Sequence, residues 1–517
     1  MSKKSPVHRA LDAVERIGDR LPDPVFIFAW IIAGLILASV ACSALGISVL
    51  NPVSGQVIRA ESLVSSENLQ RLIVDMPKTL TGFAPLGYVL LIMLGAGLAE
   101  RVGMLSAAIR VLVQIAPARL ITPIVILLGL VSNHAADTGF VILLPLAGAA
   151  FAAVGRNPIA GIAAAFAGVV GSFAGNPLPG QFDALVLGLT EPAARLIDPS
   201  WTANLVGNWY FTAAACAVFV PVGWWVTEAI VEPRLGPWEP AAGQVPHADD
   251  ITPLESKALK RAGLAALIVI LIWAAMALVP NGPLIDAAAQ GPERYTPFFK
   301  GLVAGFFILF LTSGIAYGTT MGIIRSDRDI VRLAGESMAA MAPYIVLAFA
   351  AAHFIAMFTW SNLGAILAIE GAQVLKGTGL PIPAILMGIV LLTAALDMLI
   401  GSASAKWAAL APVLVPMLIL LGVSPEMTTA AYRMGDSTVN MASPLMPYFG
   451  LVLAFCQRWR TDFGVGGLIS AMLPYSAALM VAGVLLTGMW AALDLPVGPG
   501  AQVHYSLPKI ASDAINR

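Results

Sequence analysis

The sequence predicts an all-α polytopic membrane protein with nine transmembrane helices and two opposed re-entrant hairpins, built as an inverted repeat. Three observations carry that expectation. The first is composition: 58% of the 517 residues are hydrophobic, 11% are charged, and the mean hydropathy is +0.84. Several apolar stretches exceed the roughly 20 residues that a helix needs to cross a bilayer. The second is duplication. Ala136–Leu178 recurs as Ala403–Leu445, an offset of 267 residues, with Pro145 on Pro412, Gly155 on Gly422, Pro158 on Pro425 and Pro177-Leu178 on Pro444-Leu445. The third is the distribution of basic residues, which fits one orientation of the chain.

Long apolar stretches begin near residues 25, 83, 157, 205, 264, 299, 337, 425 and 466 and are taken as spans. Two further apolar regions, about 119–154 and 381–423, are interrupted by small polar residues. The interruptions are Ser132-Asn133-His134-Ala135-Ala136-Asp137-Thr138-Gly139 and Gly401-Ser402-Ala403-Ser404-Ala405-Lys406. Each half is too short to span, so both regions are expected to be hairpins whose tips are covered by protein or line a cavity. The first apolar run, Val25 to about Leu45, is too long for a signal sequence and is expected to be retained.

Placing the N-terminus inside gathers Lys3, Lys4, Arg9, Arg16 and Arg20 on the cytoplasmic side. The inner loops then collect Arg101, Arg110, Arg119, Arg156, Arg234, Lys257, Lys260, Arg261, Arg325, Arg328, Arg332, Arg458 and Arg460. This bias satisfies the positive-inside rule. It makes the first hairpin enter from the cytoplasm and the second from outside, and it leaves the C-terminus outside. The expected organisation is a cytoplasmic segment (1–24), a first half (25–229, hairpin 119–154), a cytoplasmic linker (230–263), a second half (264–493, hairpin 381–423) and an outer tail (494–517). A short interfacial helix is expected within Glu61–Met76.

Composition also excludes function classes. No basic cluster suggests nucleic acid. Cys42, Cys216 and Cys456 lack metal-type spacing and fit apolar packing. No G-x-x-x-x-G-K-[ST] loop points to ATP, and no cofactor is expected. The partners implied are a lipid bilayer and a small-molecule substrate.

Charges in the bilayer centre are costly and usually mark function. Here they sit on the repeat elements: Asp137 at the first tip, Asp183 after the break Gly175–Gly180, Asp397 and Lys406 around the second tip, and Arg433 and Asp436 before the break Ala442–Pro447. Duplicated halves with matching broken segments point to a secondary transporter's binding site. Broken helices expose carbonyls that suit a small cation such as Na⁺ and N–H groups that suit a carboxylate. Asn133, Asp137 and Asn176 form one expected cation site, and Ser402, Ser404, Ser443 and Asp397 its counterpart; the alternative is that these residues only cap short helices. At the repeat offset Arg433 falls on Phe166 and Asp436 on Val169, so only the second half carries this pair. Arg433 is the expected substrate anchor, since a guanidinium binds a carboxylate bidentately, with Asp436 orienting it. Trp407 either stacks on a planar substrate or packs the hairpin. Asp183 either shuttles a proton or caps a helix.

The run Gly401–Ala408, Ala411-Pro412, Ser424-Pro425, Tyr432-Arg433-Met434-Gly435-Asp436-Ser437 and Pro444-Leu445, with Ser132–Asp137 and Pro177–Asp183, resembles the p-aminobenzoyl-glutamate transporter (AbgT) family over nearly the whole chain. The resemblance implies a fold like that of a larger group of ion-coupled transporters, with nine spans and two opposed hairpins. It also implies an inner-membrane homodimer with a cytoplasm-facing bowl. It implies uptake of p-aminobenzoyl-glutamate or export of sulfonamide antimetabolites, coupled to H⁺ or Na⁺. The positions that match functional family residues are Asp183, Ser404, Trp407, Pro425, Arg433, Asp436 and Pro444, the prolines acting through backbone shape. Where the family often has Asn, this chain has Asp397. Rival readings are a carrier of another organic anion such as a dicarboxylate, a channel, or an intramembrane amidase using Ser404 and Lys406, whose i, i+2 spacing points them apart.

Overall fold

The computed structural model describes residues 24–50, 56–114, 117–132, 139–238, 251–280, 282–289, 294–397, 402–443, 446 and 448–507. Asn133, His134, Asp137 and Pro444 lie outside the described residues. The described chain is overwhelmingly helical. The first apolar run is α1 (Pro24–Ala44). A small antiparallel hairpin that the sequence did not signal follows, β1 (Ser48–Leu50) paired with β2 (Val57–Arg59). The expected short helix is α2 (Ser66–Val74), capped by the Ser65 side chain accepting from the Asn68 N–H, and α3 (Met76–Thr81) follows it.

Helix α4 (Ala84–Arg101) meets α5 (Met104–Gln114) at 64°. The first repeat unit comprises α6 (Ile121–Val131), α7 (Leu144–Ala153), α8 (Pro158–Gly171) and α9 (Gln181–Ala194). Then come α10 (Trp209–Val226), a π-helical turn and α11 (Glu232–Leu235). Next are α12 (Pro253–Leu278), α13 (Thr296–Thr320), α14 (Asp327–Ala340), α15 (Ala342–Trp360) and α16 (Leu363–Gly377). The second unit is α17 (Ile382–Asp397), α18 (Ala403–Ile419), α19 (Pro425–Asn440) and α20 (Phe449–Gln457), followed by α21 (Val465–Ala492).

Among the described residues five helices are individually long and apolar enough to cross a membrane, or six if α4 and α5 form one bent span. The stretches expected as spans from 157 and 425 are not continuous helices. Non-helical backbone separates α8 from α9, where Pro and Gly deny the helix its N–H donors and its favoured dihedrals, and the described residues between α19 and α20 are non-helical as well. The expected linker is also partly helical: its start lies in α11, and Pro253–Lys260 open α12 behind a Thr252–Glu255 capping box.

The duplication survives in three dimensions. α8 and α19 begin at Pro158 and Pro425, each behind a side-chain cap, Asn157 to the Ile159 N–H and Ser424 to the Met427 N–H. The equivalent Gly155 and Gly422 both turn the chain in the left-handed region, at φ +74° and +81°. α6 packs on α8 as α17 packs on α19. At the repeat-equivalent Gly168 and Gly435 a Cβ would lie 2.5 Å from the Ile126 carbonyl and 2.2 Å from the Val390 carbonyl. Glycine therefore sets the same close approach in both halves. One large core runs through both units, and a smaller one ties α4 and α5 to α12, α13 and α14. The halves meet where α9 packs on α18.

Candidate transport site

Helix α19 is the element around which the site is built. All but one of its residues are buried, yet it carries Thr428, Thr429, Arg433, Asp436, Ser437, Thr438 and Asn440. A helix this polar stays buried only when its groups have partners.

The first group of partners comes from the break of the first half. Asp183 is the third residue of α9 and accepts from the Gly180 N–H at 2.7 Å and from Asn176 Nδ2 at 3.4 Å, both through Oδ2. Its Oδ1 lies 2.6 Å from Arg433 Nη1. Arg433 Nε donates to the Phe173 carbonyl at 2.6 Å, and the guanidinium sits 5.3 Å from the centre of the Phe182 ring. The helix ends explain the arrangement. The carboxylate stands at the positive start of α9, and the cation meets a carbonyl just past the end of α8. The indole N–H of Trp209 fixes the same break through the Pro177 carbonyl at 2.8 Å.

The second group lies between the end of α17 and the start of α18. Lys406 Nζ binds Asp397 Oδ1 and lies 2.7 Å from Asp436 Oδ1, with all three side chains at most 1% exposed. Tyr432 Oη donates to the Ala403 carbonyl at 2.5 Å and lies 3.2 Å from Asp436 Oδ1. The expectation that Asp436 orients Arg433 is therefore corrected. Although the two are neighbours at i, i+3, Asp436 follows Tyr432 by one turn on the side of α18, whereas Arg433 turns to the break. Each takes a partner from a different part of the fold.

Trp407 is fully buried. Its indole N–H donates to the Val186 carbonyl at 3.1 Å and to Thr190 Oγ1 at 3.0 Å, and its ring stacks on Tyr432 at 4.3 Å. Thr190 in turn meets Thr429 at 2.9 Å. These contacts join α9, α18 and α19, and one face of the indole is already covered. Ser402 is the cap of α18, and Ser404 Oγ lies 3.4 Å from Ser402 Oγ. Lys406 is committed to the two carboxylates, so it is not positioned as a base for Ser404. Pro425 opens α19 as its first residue, and Ser443 is buried just beyond its end.

Several buried polar atoms around α19 have no protein partner among the described residues: Asn176 Oδ1, Arg433 Nη2, Asp397 Oδ2, Asp436 Oδ2, Ser437 Oγ and Asn440 Oδ1. The structure thus brings Asp183, Asn176 and Arg433 into one cluster and Asp397, Lys406 and Asp436 into another, with α19 common to both. Sequence reasoning missed Thr190, Tyr432 and the Phe173 carbonyl. Tyr432 was present in the motif, but a backbone carbonyl and an isolated threonine give no sequence signal.

A family model for AbgT transporters matches residues 9–505. The chain belongs to the AbgT transporter family. It is 37% identical over 492 residues to the p-aminobenzoyl-glutamate transport protein of Escherichia coli (strain K12), covering 94% of this chain and 95% of that one. Two solved AbgT-type structures superpose with a TM-score of 0.88 each. The YdaH transporter of Alcanivorax borkumensis is 39% identical, covering 92% of this chain and 100% of that one. MtrF of Neisseria gonorrhoeae, described as representing a class of antimetabolite efflux pumps, is 40% identical, covering 95% of this chain and 99% of that one. As an AbgT member the chain is a membrane transporter. These relatives are transporters, which gives the amidase reading no support.

Proposed function

We propose that this AbgT member is an ion-coupled secondary transporter of p-aminobenzoyl-glutamate-like aromatic acids and sulfonamide antimetabolites, working by alternating access. The observation that carries the reading is the Arg433–Asp183 pair, which joins the second half's polar helix to the first half's break at a Nη1–Oδ1 distance of 2.6 Å. A substrate carboxylate is a chemical equivalent of Asp183 and competes with it for the guanidinium. Protonation of Asp183 would release Arg433 to the substrate, linking proton and substrate binding through one exchange.

The second cluster is the counterpart for the coupling ion. Two carboxylates share one ammonium, so when all three are ionised the buried site carries one excess negative charge. A proton or a Na⁺ ion relieves that excess, and Asp397 Oδ2, Asp436 Oδ2 and Asn440 Oδ1 supply hard oxygen donors. The short apolar helices on either side of each tip support two hairpins, and the matching breaks support an inverted repeat within nine spans. We further propose a homodimer in the bacterial inner membrane, with the N-terminus cytoplasmic.

The test is flux in liposomes containing the purified protein, using radiolabelled p-aminobenzoyl-glutamate and a sulfonamide under separately imposed proton and Na⁺ gradients. Flux that follows one gradient and is lost in Asp183→Ala is expected. A competition panel in which dicarboxylates displace the label better than aromatic acids would replace the substrate class. Conductance above carrier rates without counterflow would indicate a channel.

A further inference from the structure

Away from α19, a cleft opens between α4, α9 and α13. It has two adjoining chambers of about 240 and 360 Å³ that share Thr202, Ala203, Phe299 and Lys300. The inner chamber follows α9 from Glu191 to Ala184, the residue next to Asp183. At the helical rise of about 1.5 Å per residue, its far end lies about 12 Å from Asp183. The cleft therefore runs beside the helix that carries one member of the central ion pair.

Its chemistry selects a ligand. Glu191 is buried and already satisfied, with Oε1 2.5 Å from Arg195 Nη2 and Oε2 accepting from the Ala203 N–H at 3.2 Å. Arg195 Nε is also held, by the Trp201 carbonyl at 3.0 Å. That leaves Lys300, which lines both chambers and has no carboxylate partner among the described residues. The net charge of the lining is thus positive by one. Tyr88 and Phe299 add two aromatic rings to the inner chamber. Lys300 also sits in the first turns of α13, whose dipole favours an anion there.

We propose that this cleft is a second binding site, a vestibule that takes an aromatic carboxylate with its anionic group on Lys300 and its ring between Phe299 and Tyr88. Ligand held there is poised to move along α9 toward Arg433. The proposal rests on the substrate class proposed above. It adds to the central site an entry site at the end of the molecule where the Lys and Arg distribution places the outside.

The experiment has two arms. Full-length protein crystallised with 4-iodobenzoate should show an iodine anomalous peak in the cleft beside Phe299. Absence of that peak at saturating ligand, or a peak only at Arg433, overturns the site. In liposomes with p-aminobenzoyl-glutamate supplied on the cleft side, Lys300→Glu should raise KM about fivefold or more at low salt with kcat unchanged. The effect should shrink in high salt, and Lys300→Arg should retain the wild-type KM. Wild-type KM in Lys300→Glu overturns the vestibule and leaves the substrate reading standing. A Lys300-dependent iodine peak in a protein that does not carry p-aminobenzoyl-glutamate keeps the site and removes that reading.

Discussion

Arg433 and Asp183 are separated by 250 positions in sequence and by 2.6 Å in space, and both are at most 2% exposed. Removing one member of such a pair leaves an unpaired charge in the interior, at a cost of about 3–5 kcal/mol. Arg433→Ala and Asp183→Ala should each lower the melting temperature of the purified protein and abolish flux. The double variant should regain much of the stability and none of the transport. Equal melting temperatures for single and double variants would mean that the pair is not coupled.

Lys406 between Asp397 and Asp436 leads to a second expectation. Lys406→Met leaves two buried carboxylates facing each other and should cost about 3–5 kcal/mol. Asp397→Asn keeps a hydrogen-bond acceptor for Lys406 and removes the excess charge, so it should cost no more than about 1–2 kcal/mol. Its flux should lose part of its dependence on the coupling ion. Thermal melts, with flux against imposed proton and Na⁺ gradients, check both variants.

Trp407 separates packing from substrate stacking. Trp407→Phe keeps a ring on Tyr432 and forfeits the bonds to Val186 and Thr190, which should cost about 1–3 kcal/mol. Trp407→Ala should cost about 3–5 kcal/mol. If the indole serves packing, KM for aromatic substrates stays at the wild-type value in Trp407→Phe; a large rise would put the indole in the substrate's path.

The repeat-equivalent glycines should behave alike. Gly168→Ala and Gly435→Ala each force a methyl against a neighbouring helix carbonyl, and overpacking of this kind costs about 1–3 kcal/mol. Gly155→Ala meets no atom within 4 Å and should cost only the backbone penalty of about 1–2 kcal/mol. Melting temperatures of the three variants test the ordering.

Beyond the last long helix, the C-terminal segment is held by Tyr505, whose hydroxyl donates to Asp198 and whose N–H donates to the Gly422 carbonyl at 2.8 Å. Burial pushes the Asp198 carboxyl up, but hydrogen bonds from Ser200 and Tyr505 outweigh it and hold it below its ordinary value. A depressed carboxylate stabilises the fold above its unfolded pKa and loses that contribution as pH falls through the folded one. The tail should therefore stay protected at neutral pH and loosen below about pH 4. Proteolysis of the C-terminal segment against pH, in wild type and Tyr505→Phe, measures this; identical profiles would remove the tether.

The duplication, the two interrupted apolar regions and the charged residues at their breaks could all be read along the chain. Pro158 and Pro425 open matching helices where the offset puts them. The number of continuous spans could not be read, because hydropathy does not distinguish an unbroken crossing from two short helices joined by a Pro-rich break. Nor could the partner of Asp436, because a helix offers an i, i+3 neighbour and a cross-helix partner at similar reach.

By itself the sequence determined that this is a duplicated, helix-breaking membrane chain with one asymmetric set of buried charges, because periodicity, Pro, Gly and charge are local properties. Only the tertiary structure decided that Arg433 serves the first half's break, that Asp436 shares Lys406 with Asp397, and that Lys300 stands over a cleft leading along α9. Those outcomes depend on which helix faces meet, and in a low-dielectric interior each buried charge is bound to whatever opposite charge the packing brings within hydrogen-bonding distance.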